Sequence, residues 1–162
     1  MDQSQSPDRL VRARWRAAVL LVILSAFLAS SAHAGLGEPV ESVQRDHAAL
    51  RGTGLSMTPK PAYDVHEITT ADGTSVRQYA SHGGTVFAVA WSGRSLPDLS
   101  IVLAKYFDDY VAAAAAHHGN HHVLTVTTPQ FVISVVKHPR GLTGSAHLPG
   151  LLPAGISPQE LR

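Results

Sequence analysis

Asp72 and Gly73 lie between two runs rich in β-branched and aromatic residues, Tyr63 to Thr70 and Thr74 to Ala80, and this arrangement constrains the fold more than any other feature. A type I′ turn needs positive φ at both central residues, which Asp-Gly supplies at low cost, so the two runs are expected to pair as an antiparallel hairpin. In that two-residue register Thr69 faces Val76, Ile68 faces Arg77 and Glu67 faces Gln78. A second turn at His82 Gly83 Gly84 leads into Thr85 to Trp91. Its unbroken apolar stretch, Val86 to Ala90, predicts a central strand buried on both faces.

After this sheet segment the period changes. Ser95 and Asp98 make a capping-box-like S-x-x-D with Pro97 in the first turn. Leu99, Val102, Leu103, Tyr106, Phe107, Tyr110 and Ala114 then recur at helical spacing, and Gly119 is a natural stop, which predicts one long helix packed on the sheet. The runs His122 to Thr127 and Phe131 to Lys137 flank Thr128 Pro129 Gln130 and read as two further strands. Gly and Pro are dense in residues 35–61 and 139–162, so the first segment reads as an irregular lead-in. The second reads as an extended strap with one strand at Thr143 to Leu148. The expected fold is α+β, with an antiparallel sheet of about five strands in βββαββ order and one long helix on one face. Residues 62–162 form its single domain.

The chain opens with Arg9, Arg12, Arg14 and Arg16, continues with an apolar run from Ala17 to Ala29 broken only by Ser25, and ends that segment at Ser30 Ser31 Ala32 His33 Ala34. These are the three regions of a secretory signal peptide, with cleavage expected between Ala34 and Gly35. As a helix the apolar run reaches roughly 20 Å, short of the ~30 Å hydrocarbon core, so a stable membrane span is not expected. An uncleaved anchor held by the arginines is the alternative. The expected location is the periplasm or the extracellular space.

That reading changes the charge. The whole chain carries 13 basic and 12 acidic residues, net +1, but residues 1–34 contain four arginines and two aspartates. The remainder has 9 basic against 10 acidic residues, net −1. It offers no electrostatic footprint for nucleic acid or anionic lipid. Hydrophobic residues at 44% and charged residues at 15% are those of a folded domain, and the absence of cysteine excludes disulfides and thiol chemistry.

Few residues suggest chemistry. His117, His118, His121 and His122 fall within the tract HHGNHH, and clustered imidazoles can capture Zn²⁺ or Cu²⁺, although a solvated loop explains them as well. His66 and Glu67 begin H-E-x-x-H, but Thr70 stands where the second His belongs, on a segment that reads as a strand. GxSxG, the phosphate loop and GxGxxG do not occur. Asp108 and Asp109 adjoin on a helix and point about 100° apart, which suits a solvated face and not a carboxylate dyad. Arg77, Tyr79 and Trp91 are the polar or amphipathic residues of the expected sheet; an uncovered face would present them to a ligand, but snorkelling at the sheet rim explains them better. No catalytic residue and no resident cofactor is assigned.

Several stretches together carry a resemblance: Tyr63 Asp64 Val65 His66 Glu67, Gly73 Thr74 Ser75 Val76 Arg77 Gln78 Tyr79, Gly84 Thr85 Val86 Phe87 Ala88 Val89 Ala90 Trp91, and Pro97 Asp98 Leu99. It continues through Tyr106 Phe107 and Leu148 Pro149 to Leu152 Pro153 Ala154 Gly155 Ile156 Ser157. The chain resembles the bacterial "domain of unknown function 2844" family of small exported proteins. That resemblance implies export and no activity. Lys137 His138 Pro139 Arg140 departs from the family pattern, which is richer in glycine there. The functional expectation is an exported, non-catalytic binding or accessory module for an unknown protein or small ligand. The alternatives are a hydrolase with an unrecognised site and a His-tract metal-capture protein.

Overall fold

The computed structural model describes residues 35–116 and 122–161. Within them seven strands form one antiparallel sheet: β1 (Gly52–Pro59), β2 (Tyr63–Thr70), β3 (Ser75–Ser81), β4 (Val86–Gly93), β5 (Val123–Thr127), β6 (Val132–His138) and β7 (Gly141–His147). Their spatial order is β1-β2-β3-β4-β7-β6-β5. The helices are short: α1 (Val43–Ala49), α2 (Leu99–Leu103) and α3 (Phe107–Ala115). The expected α+β fold with about five strands and one long helix is thus corrected to a mainly β fold with seven strands and two short helical stretches, residues 40–49 (ending in α1) and 99–115 (α2 and α3).

Each difference has a local cause. β1 lies in the segment expected to be irregular, because its residues are mostly exposed on an edge strand and lack apolar alternation. β7 covers most of the strand expected at Thr143 to Leu148, but it lies within the sheet, paired with β4 on one side and β6 on the other, and not in an outlying strap. Its glycine-rich sequence reflects close packing: a Cβ on Gly144 would collide with the Trp91 indole. The long helix is interrupted at Ala104, where φ is 48°, and a turn of 3₁₀-helix from Ala104 to Tyr106 separates α2 from α3. Asp98, not Ser95, caps α2, accepting from the Ser100 backbone N–H at 3.0 Å.

The β2–β3 hairpin forms, but one residue out of the expected register: Thr69 faces Ser75, Ile68 faces Val76 and Glu67 faces Arg77. The loop has three residues, closed by Thr70 N–H donating to the Thr74 carbonyl at 2.9 Å. Gly73 alone takes positive φ, at 80°. A three-residue turn with glycine in the left-handed region fits this geometry, whereas type I′ would need two such residues. The shift puts Ile68 and Val76 together on the buried face and sets Arg77 3.6 Å from Glu67 on the other.

Each face of the sheet carries a buried apolar cluster. On one face Ile68, Val76, Val89, Trp91, Ile133 and Ala146 pack against Leu36, Val43 and Leu50 from the lead-in and against Leu99, Val102 and Leu103 from α2. Tyr106, Phe107 and Tyr110 flank that cluster, as their spacing suggests. The lead-in is therefore core: Leu36 is fully buried, and its backbone N–H bonds to Val102 O at 3.0 Å. On the opposite face Tyr79, Phe87, Ala88 and Ala90 are covered by the tail through Leu152, Ile156 and Leu161. β4 has six consecutive buried residues, Val86 to Trp91, consistent with its place between the two layers.

Candidate functional site

At one end of the sheet three segments converge: the β2–β3 turn, the C-terminal end of β4, and the β6–β7 turn. They enclose an open cleft of about 580 Å³. Glycine makes the convergence possible. A Cβ on Gly141 would collide with the Gly93 carbonyl, and one on Gly93 would collide with Thr74. β4 pairs with β7 so that Gly93 faces Leu142, which brings Arg94, following Gly93, beside the Arg140–Gly141 turn. Two arginines 46 positions apart in sequence thus become neighbours on the cleft wall.

The only carboxylate of the cleft is Asp72, and it is engaged elsewhere. It accepts hydrogen bonds from the hydroxyls of Thr70, Thr74 and Ser95 and from the Thr74 backbone N–H. The Thr70 hydroxyl above all holds its carboxyl below the ordinary aspartate range. The ion pairs given by the described residues are Arg77 with Glu67 and Lys105 with Glu38. Neither Arg94 nor Arg140 is paired with a carboxylate among the described residues. His138 and Thr143 complete the wall, with His138 Nε2 2.9 Å from Thr143 Oγ1. The cleft therefore presents guanidinium and hydroxyl donors with little compensating negative charge.

Most residues singled out in the sequence lie away from this cleft. His117, His118 and His121 fall outside the described residues. His122 is exposed just before β5, its carbonyl accepting the Lys137 N–H at 2.8 Å. Among the described residues no three His, Asp or Glu side chains converge as a metal site. Ala34 also lies outside the described residues. Gly35 is buried with its backbone against the Ile101 and Val102 carbonyls. His66 and Glu67 are consecutive strand residues and so point to opposite faces. Asp108 and Asp109 are exposed on α3.

Arg77, Tyr79 and Trp91 do not share a surface. Trp91 is buried under the helical layer, with its indole N–H unpartnered. Tyr79 is buried under the tail, and desolvation raises its phenol above the ordinary range. The residues sequence reasoning missed are Arg94, Arg140 and His138. Only the β4–β7 pairing joins them, and no sequence signal pairs the strand expected at Thr143 to Leu148 with β4.

Another polar feature lies inside the core. Asp46 on α1 is 1% exposed and accepts a hydrogen bond from the Gln78 side-chain amide on β3, while Gln78 Oε1 has no partner. Desolvation pushes the Asp46 carboxyl up to about 7. Its burial removes it from any ligand-binding role.

No curated protein and no solved structure matches the chain. Among the described residues no helix is long and apolar enough to cross a membrane. A family profile described as "Protein of unknown function (DUF2844)" matches residues 32–161, nearly all of the chain beyond the N-terminal apolar run. The chain belongs to the DUF2844 family.

Proposed function

We propose that this protein works outside the cytoplasm as a non-catalytic binding module, with its ligand seated in the cleft between the β2–β3 turn, β4 and the β6–β7 turn. The observation that carries this reading is the unpaired state of Arg94 and Arg140 on the cleft wall among the described residues. An exposed charged pair held by backbone convergence is a recognition feature, and it lacks the parts of a reaction centre. The proton-transfer groups of the cleft are dispersed: Asp72 is occupied by three hydroxyls, and His138 is bonded to Thr143. Export is supported by the arginine-led apolar run and the Ala32-x-Ala34 pattern.

One contact favours a second reading. A hydroxyl 2.9 Å from an imidazole nitrogen has the geometry of a nucleophile and its base, and Thr143 and His138 stand so in the cleft. A triad also needs an acid on the other ring nitrogen, and the ion pairs of the described residues include none between His138 and a carboxylate. The binding reading is accordingly preferred over a hydrolase.

Expressing the full chain in a Gram-negative host tests both parts. The expected product is recovered outside the cytoplasm with Gly35 as its first residue, and it leaves chromogenic esters and phosphoesters unhydrolysed. Retention in the cytoplasm would overturn export. Turnover abolished by Thr143→Val would replace the binding module with the hydrolase.

A further inference from the structure

We propose, resting on the binding reading above, that the cleft recognises a small ligand through an oxyanion, a carboxylate or a phosphate, held between Arg94 and Arg140. The placement of the two arginines is imposed by the backbone. A Cβ on Gly141 would strike the Gly93 carbonyl and one on Gly93 would strike Thr74, and Arg94 and Arg140 directly follow and precede these two glycines. Both side chains therefore start from one wall of the cleft.

Like charges so placed repel, and proteins commonly relieve such a pair with an intervening carboxylate. Here the available carboxylate, Asp72, is turned to Thr70, Thr74 and Ser95. The cleft thus keeps two cationic groups against one anionic group whose acceptor capacity is already used. This contrasts with the net −1 of the chain beyond residue 34. A ligand oxyanion supplies what the protein leaves out, and planar guanidinium groups match carboxylate and phosphate oxygens in bidentate fashion.

The rest of the wall suits the body of such a ligand. Ser92 and Thr143 contribute hydroxyls, and His138 adds a ring nitrogen. The depression is largely open to solvent, and its volume of about 580 Å³ is well above what a bare inorganic ion fills. The ligand class is therefore a hydroxyl-bearing organic acid or phosphate ester of roughly sugar size. A macromolecular polyanion is disfavoured, because the chain beyond residue 34 carries a net charge of −1.

Calorimetry on the exported, processed protein at low ionic strength tests the assignment, with glucuronate, glucose 6-phosphate and glucose as probes. At least one of the two anions is expected to bind, and glucose to bind at least tenfold more weakly. Arg94→Gln and Arg140→Gln are each expected to weaken the anion about tenfold, the effect of losing one charge-assisted hydrogen bond. Both side chains are exposed, so the variants keep the fold, and circular dichroism checks that they do. Preference for glucuronate identifies a carboxylate ligand, and preference for glucose 6-phosphate a phosphate ester. Equal binding of all three probes, or anion binding undiminished in the double variant, overturns the oxyanion assignment and leaves a binding cleft of another specificity. Absence of anion binding with esterase turnover overturns the binding module itself.

Discussion

Asp46 is the least comfortable side chain in the domain. It is carried on α1 into the core, where Gln78 from β3 is its hydrogen-bond partner, with Arg45 and Glu38 contributing weaker, opposed fields. Desolvation dominates and raises its carboxyl from 3.8 to about 7. The native state therefore holds this proton more tightly than the unfolded chain. The associated stability is fully present below pH ~4, falls as pH rises towards 7, and is gone above it. A shift of about three units corresponds to about 4 kcal/mol. Asp46→Asn keeps the acceptor for Gln78 and adds an amide donor that can meet the orphaned Gln78 Oε1. The variant should match wild type at pH 4 and exceed it by about 4 kcal/mol at pH 8 in urea unfolding, the difference isolating Asp46 from the histidines. Equal stability at both pH values would show that the carboxyl reaches water.

Gly35 makes a second residue-scale demand. A methyl group there would strike the Ile101 carbonyl and come within 2.9 Å of the Val102 carbonyl. Gly35→Ala should cost about 2 kcal/mol by overpacking against rigid backbone, read as a lowered urea midpoint. The residue expected to follow the cleavage site is thus one whose own seat in the fold admits only glycine. Neither this seat nor the cost of Asp46 is legible in the sequence, because both depend on partners more than 30 positions away.

At the scale of elements, the tail acts as a lid over one sheet face. Leu161 is 1% exposed and packs with Tyr79, Phe87 and Ala90, with Tyr63 and Ile156 beside them. Tyr63 meets Phe87 edge-on at 5.9 Å between ring centroids. Leu161→Ala should cost about 2 kcal/mol, the low end for a buried leucine because the chain end can relax. Trp91 fluorescence should stay unchanged, since Trp91 belongs to the opposite cluster. A shift in that emission would mean that the two layers are coupled through the sheet.

Elements also show what sequence can and cannot reveal. The apolar run of β4 and the β2–β3 turn were legible because burial and turn chemistry leave local signatures. The register was not, because Asp-Gly serves both two-residue and three-residue loops, and only Thr70 pairing with Thr74 decides between them. The strand expected at Thr143 to Leu148 overlaps β7, but its place between β4 and β6 is not legible, because Gly141 and Gly144 are fixed by what lies across them, Gly93 and Trp91, and not by strand propensity. The cleft shared that fate: without β7 beside β4, Arg94 and Arg140 are merely two arginines after glycine and proline.

For the whole molecule, the sheet is sandwiched where the helical layer and the tail lie, and its two edges are guarded by sequence. β1 ends at Pro59, followed by Lys60 and Pro61, and β5 is only five residues long, both of which discourage edge-to-edge association. At the cleft end of the sheet two arginines stand against one aspartate, in a chain whose net charge beyond residue 34 is −1. Anion binding there should weaken steeply with salt, since both arginines are exposed to screening.

The account stands or falls on whether that cleft is the working surface. Amide chemical shifts of the exported protein, followed while glucuronate or glucose 6-phosphate is added, address this directly. The prediction is a cluster of saturable shifts at Gly93, Arg94, Arg140 and Gly141, with α1 and the Leu161 tail silent. Shifts confined to the 117–122 histidine tract, or spread over the β5–β6 face with the cleft unmoved, would contradict it.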